Sequence, residues 1–452
     1  MLAKSAPWPV GASHEPAELL NCIAQVFLHR IFILIDIKIT DITPMTSVST
    51  TPSSTRTAAA MPFAVYILGL TVFCLTTSEF MVAGMMPSLA AAFGVPVERI
   101  GYLVSIYAAG MVLGGPVLTV ALARVPLRPA LLGLLATYMV GQIGCAMADD
   151  YLVMAIGRAV TGIAASACFG IVLSMCAEMV APEVRGRAAA IVIGGLMIAT
   201  VAGLPLATLV DLHLGWRASF WLLVVLTGLC VLAVRWRIPA TLTTSTKGMR
   251  SELASLANRE LWAAYTTSAL IIGATFAGFS YFALVLTKVS GYSPSSIPAL
   301  LGLYGLATVI GNAMIGRFAD RHTMRILLWG LVALAGALAL FAVYADQPMV
   351  AVIAMLLVGL TGVSLNPAMV VRVMRAAPPG PLVNTMHTAV INIGLMSGSW
   401  LGGVGISQGW GLRSPLWVGT VLAVAGVLAV LPYALRRSRS SGAGFQAECA
   451  KG

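Results

Sequence analysis

From Met61 onward the chain is a succession of apolar windows, each long enough to carry a helix across about 30 Å of hydrocarbon. Backbone in lipid must satisfy its own hydrogen bonds, so only helices and closed barrels span a bilayer. Apolar windows without strict alternation select helices. Twelve windows follow one another, at 62–90, 99–122, 129–148, 151–179, 187–211, 217–237, 260–288, 295–317, 324–345, 348–374, 381–407 and 413–435. Composition agrees: 59% of residues are hydrophobic and 10% charged, with a mean hydropathy of +0.93, whereas about a quarter of the residues in soluble domains carry charge. The expected fold class is an all-α membrane protein of twelve transmembrane helices in two six-helix bundles.

A net charge of +11 would suit a nucleic-acid partner if the positive residues shared one face. They alternate with the loops instead. One set of connections holds Arg124 and Arg128; Arg185 and Arg187; Arg235, Arg237, Lys247, Arg250 and Arg259; Arg317, Arg321 and Arg325; Arg372 and Arg375; and Arg436, Arg437, Arg439 and Lys451. That makes eighteen, against Arg99, Arg217, Lys288 and Arg413 in the other set. Lys and Arg concentrate in cytoplasmic loops, so both termini are expected in the cytoplasm. The expected partner is the lipid bilayer and no nucleic acid.

Residues 1–60 differ in kind. Their apolar run, Val26 to Ile39, is interrupted by His29, Arg30, Asp36 and Lys38 and is too short to span. No small-residue cleavage site follows it, and Thr46 to Ala60 has a Ser/Thr/Ala-rich make-up of the disordered type. A dispensable tail is expected, with Met45 or Met61 as the working initiator. Residues 61–238 then form the first bundle, 239–258 a cytoplasmic linker, 259–437 the second bundle and 438–452 a cytoplasmic tail. Within and just beyond the linker, Ser251 to Trp262 carries Leu253, Leu256, Leu261 and Trp262, compatible with a short helix along the inner surface. The halves echo each other, since Tyr107-x6-Gly114 and Tyr304-x6-Gly311 stand 197 residues apart. Parallel repeats of this kind place a substrate site between the halves near the midplane. The cysteines Cys22, Cys74, Cys145, Cys168, Cys176, Cys230 and Cys449 show no CxxC pair or metal spacing and read as small packing residues, with no metal or cofactor implied.

Within the first window, Thr76-Thr77-Ser78-Glu79-Phe80 sets a carboxylic acid at membrane depth. An ionisable group there costs roughly 2.5 kcal/mol or more and faces protein or a wet cavity. Two readings stand: a proton carrier on an ion path, or a structural partner for an arginine or a helix-helix hydrogen bond. Arg158 in the fourth window is the arginine. Glu79 lies seven residues before Met86 near the end of its span, and Arg158 seven after Tyr151 at the start of its own. At 1.5 Å per residue both sit about 10 Å from the same face, so a Glu79–Arg158 contact is expected. An arginine partner favours a charged carboxylate and an apolar surrounding a neutral one, so a change of partner can load and release a proton.

Gly316-Arg317-Phe318-Ala319-Asp320-Arg321-His322-Thr323-Met324-Arg325 resembles the G-x-x-x-D-R-x-x-x-R loop signature of the major facilitator superfamily. This copy follows the eighth window. The region of the usual first copy, Gly115 to Arg128, has Thr119 in place of the acid. Arg158-x-x-x-Gly162 is similar to the span-four signature, in which an intramembrane arginine is tied to proton coupling. Ala181 to Arg187 is similar to the span 4–5 loop. Gly194-Gly195 with Gly203-Leu204-Pro205 looks like the antiporter signature of span five with a leucine inserted. Gly215-Trp216-Arg217-Ala218-Ser219-Phe220 and Asn392-x-Gly394 with Gly398, Gly402 and Gly403 continue the likeness. The pattern is close to that of the twelve-span drug:proton antiporters, especially the sugar-efflux and chloramphenicol-resistance branch, and covers about Met61 to Arg437.

The resemblance implies a proton-coupled exporter of small organic molecules, a drug such as chloramphenicol or a sugar. It would work by alternating access in the bacterial inner membrane, as a monomer with protons and a small-molecule substrate as partners. The alternative is a uniporter or proton symporter importing a small metabolite. An enzyme is not expected: the five His residues are scattered and no Ser/His/Asp constellation or nucleotide loop occurs. Glu79 and Arg158 are assigned to proton coupling. Gly316, Asp320, Arg321 and Arg325 form a cytoplasmic latch or a fixed staple, and Gly203 and Pro205 let span five rock. The expected substrate cavity takes Tyr107, Gln142, Phe279, Tyr281, Asn312, Asn366 and Asn392, because amides turn away from lipid. Phe276, Phe279, Tyr281 and Phe282 serve there either as solute contacts or as core. His387 is expected as a solvated or capping residue near the inner face.

Overall fold

The computed structural model describes residues 61–122, 125–181, 184–239, 256–377 and 381–449. The expected N-terminal tail, most of the linker and the Arg124, Pro182 and Glu183 positions lie outside them. Of the expected Ser251–Trp262 helix, the described part is a turn at Leu256 and Ala257, after which Arg259 opens span seven. Among the described residues all regular structure is helical.

Eleven helical segments are long and apolar enough to cross a membrane. One of them, Pro294–Val343, has 50 residues, more than twice the roughly 20 that one crossing needs. It contains spans eight and nine, joined where the backbone leaves helical geometry at His322 (φ −127°, ψ 29°). The expected loop over 318–323 is therefore a one-residue break. Both windows were legible, but a turn with neither Gly nor Pro left no local mark of how short it would be.

Other spans are less regular than their hydropathy. Span one is Phe63–Gly84 followed, across Met85, by Met86–Phe93, with Pro87 within the first turn of the second piece, where its missing N–H costs nothing. Span seven repeats this, with Arg259–Phe279 and then Phe282–Lys288. The first pieces have 22 and 21 residues, so equivalent helices of the two halves break at equivalent depth. Span ten is divided into Pro348–Thr361, a 3₁₀ turn Val363–Leu365, and Asn366–Ala376. Spans two, three, four, six and eleven are single helices: Val97–Ala121, Leu127–Ala146, Tyr151–Met179, Trp216–Arg237 and Pro381–Ser407.

Span five carries a π turn, Ala199–Gly203, between Arg185–Ile198 and Leu204–Leu214. The Leu204 N–H bonds the Ala199 carbonyl five residues back. Pro205 explains the widening: it has no N–H to give, and its ring crowds the carbonyl four residues earlier in an α-helix.

Burial orders the spans. In spans one and seven 83% and 89% of the apolar window is covered by protein, against 33% in spans five and six. Spans one and seven are central, and much of five and six faces lipid. The internal repeat is visible in the packing. Gly162 of span four lies so close to span two that a Cβ would sit 2.1 Å from the Tyr107 carbonyl oxygen. Gly359 of span ten stands at 2.9 Å from that of Tyr304, 197 residues further along for both members. Arg217 pairs with Asp149 and Arg413 with Asp346, each at 3.1 Å.

Candidate functional site

Span one presents a row of main-chain carbonyls to spans two, three and four, and buried polar side chains close on it. Arg158, fully buried in span four, donates through one terminal nitrogen to the Ser78 carbonyl at 2.7 Å and Ser78 Oγ at 3.2 Å. The other donates to the Glu79 carbonyl at 3.2 Å. Its guanidinium lies over the Tyr107 ring, 4.3 Å from the centroid, a cation–π contact strengthened by the absence of water. The Tyr107 hydroxyl donates to the Leu75 carbonyl (3.3 Å) and that of Tyr138 to the Cys74 carbonyl (3.2 Å). Gln142 Nε2 reaches Ser78 Oγ and the Tyr138 oxygen. Gln142 Oε1 and Arg158 Nε are buried without a partner among the described residues.

Glu79 is buried, 9% exposed, and faces protein rather than lipid. The expected contact with Arg158 forms, but through the Glu79 main chain. Among the described residues no ion pair joins the two side chains. The reason is local: Ser78 and two span-one carbonyls already hold the guanidinium, so the carboxyl group one residue further round the helix is left without it.

Among the described residues the halves meet chiefly along three pairs of spans. Span two meets span eleven where Ser399 Oγ donates to the Gly101 carbonyl (3.1 Å) and Ser105 Oγ to the Met396 carbonyl (3.0 Å). Tyr281 lies across this seam. A Cβ on Gly101 would meet its hydroxyl at 2.0 Å, and that hydroxyl donates to the Ser399 carbonyl at 3.1 Å. Span one meets span seven through Phe80, whose ring centroid lies 5.5 Å from Phe276 and 5.9 Å from Phe279. Span five meets span eight where Gly305 rests on the carbonyl of Thr200 in the π turn. Among the described residues, the side-chain hydrogen bonds between halves all lie toward the membrane face on which spans one and seven end, hereafter the far face.

Comparison with known proteins decides the family. The Major Facilitator Superfamily model matches residues 68–383. The chain belongs to the major facilitator superfamily. It is 33% identical over 380 residues to a chloramphenicol resistance protein of Streptomyces lividans, covering 82% of this chain and 96% of that one. It is 28% identical over 364 residues to the inner membrane transport protein YdhP of Escherichia coli K12, covering 80% and 94%. Among solved structures, a bacterial homologue of the human lysosomal transporter Spinster superposes with a TM-score of 0.65 at 16% identity, covering 83% of this chain and 96% of that one. This facilitator is thus a multi-pass membrane transporter and not an enzyme.

Its remaining expected site residues fall into separate groups. Tyr107 and Gln142 join Arg158 and Ser78 in the polar cluster around span one. Phe279 stacks on Tyr304 at 5.1 Å within an aromatic knot with Phe276, Phe282 and Phe341, and Tyr281 sits apart at the far seam. Asn312 and Asn366 are half-buried. They stand on elements in contact, since Ser364 Oγ donates to the Thr308 carbonyl at 3.0 Å. Asn392 is buried; its Nδ2 donates to the Thr388 carbonyl (3.0 Å) and its Oδ1 has no partner. Gly316 lies against Pro367. Asp320 accepts from Arg375 through its main-chain carbonyl, not its carboxylate, and Arg321 and Arg325 flank the His322 break.

Gly203 packs on Thr77 of span one, where a Cβ would meet Oγ1 at 2.1 Å, while Pro205 touches Gly302 of span eight. The inserted Leu204 of the facilitator's antiporter-like motif thus comes directly after the π turn, whose extra residue absorbs the insertion. His387 departs from expectation. It is buried, with Nε2 2.9 Å from Ser268 Oγ and its ring stacked on Tyr265 at 5.7 Å, because span eleven starts at Pro381 and turns this residue toward span seven. Cys74, Cys145, Cys168, Cys176 and Cys230 are free and buried, consistent with packing. Sequence reasoning missed Ser78, although it adjoins Glu79, and Tyr138, although it stands four residues before Gln142 on the same helix face.

Proposed function

We propose that this transporter exports a small organic molecule in exchange for protons, with chloramphenicol-type drugs the first class to test. In this reading it works as a monomer in a bacterial inner membrane with both termini in the cytoplasm, and 61–238 and 259–437 move as two bundles. The observation that carries the reading is Glu79: a buried carboxyl group beside an arginine that is bonded only to neutral oxygens. The likeness to a chloramphenicol resistance protein supports the substrate class, that to an inner membrane transport protein supports the membrane, and the Lys/Arg distribution supports the orientation.

The chemistry follows from two competing sets of acceptors. Arg158 stays charged throughout, since a guanidinium does not titrate in proteins. A protonated Glu79 leaves it on Ser78 and the span-one carbonyls. An ionised Glu79 offers a stronger acceptor within one side-chain rotation. Release of the proton therefore transfers Arg158 from main chain to carboxylate and moves its guanidinium relative to the Tyr107 ring, changing how spans two and four pack on span one, and uptake reverses it. Solute then binds between Phe80 of the first half and Phe276, Phe279 and Tyr304 of the second.

The test is uphill chloramphenicol uptake into inside-out vesicles under an imposed pH gradient. Glu79→Gln should abolish concentrative uptake while leaving counterflow exchange of labelled drug. Full retention of uphill transport by Glu79→Gln would refute the coupling role. Accumulation only in right-side-out vesicles would reverse the direction.

A further inference from the structure

A second polar site lies at the far face, away from the midplane cluster. A cleft of about 270 Å³ opens there between the halves, walled by Ser88, Thr208 and Asp211 of the first and Thr287, Lys288 and Tyr292 of the second. Asp211 is its deep acid, 9% exposed. One carboxylate oxygen accepts from Ser88 Oγ at 2.7 Å; the other, Oδ1, is buried and has no partner among the described residues. The hydroxyls of Thr208 and Thr287 donate to the carbonyls of Leu204 and Ala283, on their own helices, so they face a ligand as acceptors. Lys288, the wall's cation, is exposed and forms no ion pair with Asp211 among the described residues. Leu212 and Ile297 add apolar wall.

A buried carboxylate with an unused oxygen, acceptor hydroxyls and an aromatic ring beside apolar surface is complementary to an organic ammonium. We propose that the cleft is a binding site for a small, partly apolar organic cation, whose ammonium pairs with the Asp211 carboxylate as a turn of that side chain brings the free oxygen to the cleft, and whose carbon body lies toward Tyr292, Leu212 and Ile297. The volume holds about a dozen non-hydrogen atoms, at the small end of ligand pockets. Because its walls come from both halves, the bound cation favours the state in which they are together at this face. That consequence rests on the two-bundle reading above; the binding itself does not.

The experiment uses the full chain in nanodiscs, with 2-phenylethylammonium as probe and the neutral 2-phenylethanol as control, read by the shift of the thermal unfolding midpoint with concentration. The wild type should show saturable stabilisation by the ammonium beyond that of the alcohol. Asp211→Asn should weaken it about tenfold or more, the loss of one charge-assisted contact, and Lys288→Gln should strengthen it by removing a like charge. In a Glu79→Gln background the ammonium should still stabilise more than the alcohol, and Asp211→Asn should still weaken that response, which separates this site from the transport mechanism. Equal response to ammonium and alcohol, or an undiminished response in Asp211→Asn, would overturn the proposal. So would absence of a response in both wild type and Lys288→Gln, which would leave Asp211 as a latch for Lys288 or as plain structure.

Discussion

Gly305→Ala isolates the contact between the halves. Gly305 in span eight faces the π turn of span five so closely that a Cβ would lie 2.2 Å from the Thr200 carbonyl oxygen and 2.6 Å from its carbon. Both are backbone atoms and cannot swing aside. Real Cβ contacts begin at 3.0 Å and are ordinary from 3.4 Å, so the spans must separate by about 0.8 to 1.2 Å, the differences from 2.2 Å. Overpacking of this size costs about 1–3 kcal/mol. If the contact exists only when the far face is closed, the whole cost falls on that state and shifts the equilibrium roughly 5- to 150-fold toward opening. Spin labels at Leu214 and Met349, 74% and 72% exposed and one in each half, report the far-face separation by pulsed dipolar spectroscopy. The control is Gly162→Ala, whose Cβ would strike the Tyr107 carbonyl at 2.1 Å wholly within the first half. It should lower thermal stability without changing the distance distribution. Should Gly305→Ala behave as the control does, losing stability with its distances unmoved, the span five–eight contact persists in every state and the reasoning fails.

Other changes probe separate parts of the structure. Deletion of Leu204 should let the π turn close to an α-helix while keeping the register of both flanking segments, so the variant should express and elute as monodisperse protein; deletion of Leu223 in regular span six should not. Arg217→Ala should lower the unfolding midpoint more than Asp149→Ala, because the exposed carboxylate contributes little whereas the guanidinium also satisfies the Ala148 carbonyl at 2.8 Å. Arg158→Lys should be nearly as damaging to transport as Arg158→Ala, since a lysine ammonium cannot reproduce the two-nitrogen grip on Ser78 and Glu79.

The number and order of crossings were legible because lipid imposes a single requirement over about twenty residues at a time. Depth was legible for the same reason: counting residues brought Glu79 and Arg158 to one level. Azimuth was not. Whether Arg158 meets the carboxylate or the carbonyl of Glu79 depends on rotations that leave hydropathy unchanged, and Ser78, the residue that decides it, looks like any small polar residue. The break at Ser280–Tyr281 was nearly as silent, since most flanking residues stay apolar through it, whereas that at Met85 had Gly84 and Pro87 beside it as marks. Pro205 did mark an irregularity, yet nothing in the sequence showed how the helix takes up the inserted leucine. The π turn accommodates it, by wrapping one more residue into a turn while the rest of the helix keeps its register.

The repeat sharpens what the polar cluster means. With Tyr107–Gly162 and Tyr304–Gly359 as anchors, the counterpart of Arg158 is Met355, fully buried. The stretch of span seven that answers to Ser78–Glu79 is Ala274–Gly278, without an ionisable residue. At this depth the duplicated backbones therefore carry unlike interiors: charge and hydrogen bonds in the first half, aromatic surface in the second. On the proton-exchange reading, a proton taken up by the first half changes the grip of spans two and four on span one, and span one touches the second half through Phe80. On the proton-exchange reading the conformational signal and the solute meet at that ring. Phe80→Ala, which removes the bridge without touching a titratable group, should then leave proton binding intact while uncoupling it from drug movement. In reconstituted vesicles it would show a proton leak no larger than that of the wild type, together with downhill drug flux insensitive to the pH gradient. Gradient-driven accumulation at the wild-type level in that variant would mean that coupling runs through another pair of spans.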